Sequence, residues 1–106
     1  MSMFTWQHMK AVPEEIKGPL MKYMPQITEM SKDLIDMNIG TMTSENFGAK
    51  WGVPYMEVER RIGILKMVLG GAKTGATETK EMWAWIVLLL KRRAERRSQE
   101  HKRVEG

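Results

Sequence analysis

A chain of 106 residues with no cysteine has room for one domain, and it excludes a disulfide framework, a Cys-based zinc site and a thiol nucleophile. An apolar share of 42% is enough for a core, yet so short a chain buries under about 70% of its unfolded surface and gains from self-association. The net charge of +4 sits entirely at the end, because residues 1–90 hold ten Lys/Arg and ten Asp/Glu whereas residues 91–106 hold seven basic residues against three acidic ones.

A basic terminus suits phosphate or an acidic protein surface. The plain alternative is a solvated helix end, where the macrodipole favours cations. Residues 1–10 contain no continuous apolar segment that would read as a secretory signal. The longest apolar run, residues 82–90, is far short of the ~20 residues of a membrane span. With no cysteines, these features lead us to expect a cytoplasmic protein without integral membrane association.

In chain order, residues 1–12 lack a clear period and read as an N-terminal arm, with Phe4 and Trp6 available to pin it. Pro13-Glu14-Glu15 is a helix opening, with proline at the first position and acids in the first turn. Gly18-Pro19 and then Pro25 are expected to interrupt the helix beyond it. Pro25 opens a helix whose inner stripe is Ile27, Met30, Leu34 and Met37, with Glu29, Lys32, Asp33 and Asp36 on the polar face. Asn38 or Gly40 closes it in a left-handed cap.

Thr43 or Ser44 caps the next helix, and Phe47, Trp51 and Met42 point inward. Gly52 ends it, and Val53, preceding a proline, is extended. Pro54 opens a helix with inner residues Val58, Ile62, Leu65 and Leu69, stopped at Gly70-Gly71. Residues 72–79 read as a loop or a stunted hairpin. The last helix starts near Thr77 or Thr79. Because residues 82–90 are apolar on every side, the helix requires cover all round, and a second copy of the chain is the expected cover for one side. The expected fold class is therefore all-α, a small domain of four to five helices with a long C-terminal helix. The expected organisation is an arm (1–12), a helical domain (13–90) and a basic end (91–106).

Residues 43–69 carry the functional expectation. A tight, steep crossing of two helices needs a small residue in the first, here Gly48 and Ala49. It also needs a turn residue free to take positive φ, here Gly52, an apolar plug after it, Val53, and an apolar residue five positions on, Val58. In these respects the stretch resembles the helix-turn-helix DNA-binding superfamily, and Val58, Ile62 and Leu65 are similar to its winged-helix branch. The resemblance implies double-stranded DNA as partner, with Tyr55, Met56, Glu59, Arg60 and Gly63 facing the major groove. Arg60 suits guanine and Glu59 a cytosine amino group. Thr43, Ser44, Lys50 and Lys66 are expected on the DNA side, and Arg92, Arg93, Arg96 and Arg97 add salt-dependent affinity. Pro54 stands where a Ser/Thr cap is usual, and Glu57 and Glu59 oppose phosphate.

Trp83, Trp85, Ile86 and Leu89 are the expected contacts of a homodimer, tryptophan being a frequent interface anchor. The rival class is a helical module that docks a larger protein through the Met- and Trp-rich last helix, without DNA. A third is an interfacial or RNA role for the basic tail. The eleven methionines fit a soft core or an adaptable groove. His8 and His101 lie in opposite terminal segments and are not expected to form a metal site or a catalytic dyad, and the 70–75 loop lacks the order of a P-loop. No catalytic residue, metal or cofactor is expected, and the chain is not expected to be an enzyme. A transcription regulator and a phage-type DNA-packaging or accessory protein both fit.

Overall fold

The computed structural model of the chain describes Phe4, residues 8–70 and residues 76–105. Within them the fold is all-α: a 3-10 turn at His8–Ala11, then α1 (Glu14–Lys22), α2 (Met24–Ile39), α3 (Ser44–Trp51), α4 (Tyr55–Leu69) and α5 (Ala76–Glu105). No strand occurs among the described residues, so the wing of a winged helix is not found there. Trp6 and residues 71–75, part of the stretch expected to be a loop, lie outside the described residues.

α5 organises the rest. At 30 residues and a rise of 1.5 Å each it is about 45 Å long, the long dimension of a molecule measuring 46 × 31 × 22 Å. α1, α2, α3 and α4 all pack against it. Leu20, Ile27, Met30, Leu34, Phe47, Trp51, Leu65 and Leu69 meet Trp83, Ile86, Leu89 and Leu90 in one core. Phe4 closes its far side, edge-on to the Trp83 ring at 5.9 Å, while its backbone N–H donates to the buried Ser31 hydroxyl at 2.9 Å.

Several expectations require correction. α1 runs through Pro19 rather than breaking there. Gly18 has no Cβ to clash with the proline ring, and the fully buried Leu20 anchors the next turn. The break comes at Tyr23, with Pro25 in the first turn of α2. α2 ends at Gly40, whose φ of 88° is the left-handed cap. α5 begins at Ala76, so residues 76–79 are helix, and it continues past residue 90 without interruption. Asp33, assigned to the polar face of α2, is only 5% exposed.

The expected dimer contact is the largest correction. Trp83, Ile86 and Leu89 are at most 2% exposed within the single chain. The four preceding helices cover this face, leaving only Ala84 and Leu88 exposed between residues 82 and 90. A second copy has no access to those three side chains.

Candidate functional site

The α3–α4 corner is built from local sequence. Thr43 caps α3, its hydroxyl accepting from the Asn46 N–H at 3.1 Å, which satisfies one of the donors a helix start leaves unpaired. Gly52, at φ 71°, turns the chain in the left-handed region where a side chain is strained. Val53 then donates its N–H to the Gly48 carbonyl at 2.8 Å and plugs the corner with a buried side chain. A Cβ on Gly48 would stand 2.4 Å from the Val53 carbonyl oxygen and 3.4 Å from Val58 Cγ2. Only glycine permits this approach. Pro54 is the N-cap of α4, with no side-chain cap bond, and α4 starts at Tyr55.

The start of α4 projects from the body. Met56 is 79% exposed and Tyr55 48%, and Glu59, Arg60 and Gly63 are exposed beside them. The charges that act on Tyr55 are carboxylates. The Glu59 carboxylate, with Glu45 contributing, holds the Tyr55 phenol above its ordinary range. Glu57 is bonded by Arg61 Nε at 2.9 Å and by Arg60, and the Arg61 bond, with the charge of Arg60 added, holds its carboxyl below the ordinary value. Arg60 is therefore exposed yet tied to its own helix. Arg61 also lies 4.8 Å over the Trp85 ring. Trp85, expected at a dimer contact, thus faces α4.

Lys50 is not a free phosphate contact. Its ammonium sits 2.8 Å from Asp33 and 3.3 Å from Glu29, both on α2. Asp33 also accepts from the Trp51 indole N–H at 2.9 Å. These bonds satisfy a carboxylate whose burial would otherwise be costly. Lys66 is half-buried in the last turn of α4, about 16 Å along the helix from Tyr55. Thr43 and the half-buried Ser44 stand at the far end of α3 from the turn, about 12 Å away.

Arg92, Arg93, Arg96 and Arg97 form two i,i+4 pairs on α5. Arg93 grips Glu29 through two nitrogens, each at 3.2 Å, and Arg97 reaches the same carboxylate at 3.9 Å. Burial pushes Glu29 upward, but the bonds from Arg93 and Lys50 outweigh it and hold its carboxyl below the ordinary value. Arg92 and Arg96 instead line an open cleft of about 320 Å³ with Trp51, Gly52, Glu95 and Gln99. Arg96 donates to the Lys50 carbonyl at the end of α3. Arg93 and Arg96 thus tie this part of α5 to α2 and to the end of α3. Spacing held part of this signal: Glu29 and Asp33 are one turn apart, as are Arg93 and Arg97, so each pair shares a helix face.

Among the described residues no group of three His, Cys, Asp or Glu is placed to hold a metal ion, and no helix is long and apolar enough to cross a membrane. Comparison with known proteins gives no matching family model, no matching curated protein and no matching solved structure.

Proposed function

We propose that the chain binds double-stranded DNA, with α3 and α4 acting as a helix-turn-helix and α4 entering the major groove. The observation that carries this reading is the corner itself. Gly48 pressed on the Val53 carbonyl and Gly52 in the left-handed region set the direction of α4, whose first turn leaves Tyr55 and Met56 exposed. A groove-reading helix uses the side chains of its first turns.

The chemistry of that face defines what it would read. Met56 offers apolar contact to a thymine methyl, Glu59 accepts from a cytosine amino group, and Arg60 suits guanine once it leaves Glu57. The carboxylates repel phosphate, so the attraction to the backbone comes from α5. This reading needs no second copy of the chain, and it assigns no catalytic role. Selective binding fits a transcription regulator; sequence-indifferent binding fits a DNA-packaging or accessory protein.

Fluorescence anisotropy with short mixed-sequence duplexes over a range of salt tests it. Affinity falls steeply with salt, and Tyr55→Ala and Arg60→Ala weaken binding or alter base preference. A second reading, a protein-interaction module, is favoured by the exposure of Met56, Ile64 and Met67 along α4 beside Glu57 and Glu59. Absence of duplex binding at low salt selects that reading over DNA.

A further inference from the structure

We infer that the cleft between the α3–α4 turn and α5 is a phosphodiester site that clamps one backbone phosphate of the duplex beside the groove that α4 enters. The inference rests on the DNA reading and goes beyond it. It makes the basic end of α5 a fixed contact with a defined position rather than a diffuse source of positive charge.

Three observations carry it. First, the four arginines between residues 92 and 97 divide between two neighbours. Arg93 is bonded to Glu29 and Arg97 lies 3.9 Å from the same carboxylate, whereas Arg92 and Arg96, also one turn apart, line the cleft. Second, the cleft is held in place. Arg96 donates to the Lys50 carbonyl, and because a guanidinium carries five N–H donors, this bond orients the group without exhausting it. The opposite wall is Trp51 and Gly52, and Trp51 is anchored through its indole N–H to Asp33. Third, size and charge match the ligand. Two guanidiniums oppose the single carboxylate of Glu95, and Gln99 adds an amide donor. At about 320 Å³ the cleft stands at the lower edge of small-ligand sites, which run from about 300 Å³. That suits one phosphate on an open strand rather than an enclosed nucleotide. Gly52 is also three residues before Tyr55, so a phosphate held there borders the groove that receives α4.

A guanidinium fork grips phosphate oxygens in a geometry that an ammonium cannot reproduce. The charge-conserving Arg92→Lys therefore separates a shaped site from diffuse attraction. Arg92 is exposed, so the variant keeps the fold, as a thermal melt would verify. Lys91→Ala removes one charge from the neighbouring position outside the cleft. Anisotropy with a short mixed-sequence duplex is expected to show roughly tenfold weaker binding for Arg92→Lys. Arg92→Ala is as weak or weaker, with a salt slope smaller by about 1, and Lys91→Ala stays close to wild type. Arg92→Lys indistinguishable from wild type overturns the clamp while leaving the DNA reading intact. Failure of wild type to bind any duplex at low salt overturns both.

Discussion

The α-carbon of Gly48 lies so close to Val53 that a methyl group added there would stand 2.4 Å from the Val53 carbonyl oxygen. The obstacle is backbone, and it cannot swing aside as a side-chain tip can. Gly48→Ala is therefore expected to cost at least ~1–3 kcal/mol. The melting temperature falls by about 4–8 °C per kcal/mol in a domain of this size. Gly63 is the control, since nothing lies within 4 Å of a Cβ built there. Gly63→Ala in mid-helix raises stability by roughly 0.5–1 kcal/mol. Equal effects of the two substitutions in thermal melts would contradict the crossing described above.

Asp33 joins α2 to the corner through Trp51 and Lys50. Asp33→Ala leaves a buried indole N–H and an ammonium without that partner, at an expected cost of ~1–3 kcal/mol. Trp51→Phe removes only the donor and costs less. Urea unfolding of the single and double variants gives the coupling, and additive losses would show that the two side chains do not act together.

Glu29 confers a pH dependence of defined sign. Its carboxyl is held below the ordinary 4.5 in the folded chain. The stability it contributes is fully present above that ordinary value and is lost as pH falls through the depressed folded one. Glu29→Gln removes this loss, so the variant and wild type converge in stability under acid and diverge near neutrality. A constant gap between them across the carboxylate range would refute the assignment.

Glu57 holds Arg60 and Arg61 at the head of α4. On the DNA reading, Glu57→Gln removes a charge that repels phosphate and releases Arg60. Duplex affinity is expected to rise, and the salt dependence to steepen. A decrease in affinity would mean that the Glu57–Arg60 pair itself shapes the reading surface.

Trp83→Ala tests whether the apolar face of α5 belongs to one chain or two. As a core residue its loss costs ~3–5 kcal/mol, and the loss is the same at any protein concentration. A shift in unfolding midpoint that grows on dilution would restore a two-chain interface.

The corner was the most legible part of the sequence because its determinants are local. Thr43, Gly48, Gly52 and Val53 each act within about a turn of themselves, and of the stripe Val58, Ile62, Leu65 and Leu69 only Ile62 is half-buried rather than buried. The course of α1 was hidden because Pro19 is an adverse local signal. The burial of Leu20 against the core outweighs it. Asp33 was misassigned for a related reason: a carboxylate reads as surface until its partners, 17 and 18 residues further on, are known. The cover of Trp83 could not be inferred from periodicity either. A helix apolar on all sides says that it is enclosed, and the choice between its own chain and another depends on how four other helices fold around it.

Ribosomal synthesis delivers the helix that unites the fold after the four it joins. α1 to α4 emerge first, and Leu20, Ile27, Leu34 and Leu65 then lack the partners that Trp83, Ile86 and Leu90 provide. A nascent chain stalled before Met82 presents that sticky groove to solvent or to chaperones. Folding can be completed only when the apolar stretch of α5 has cleared the exit tunnel.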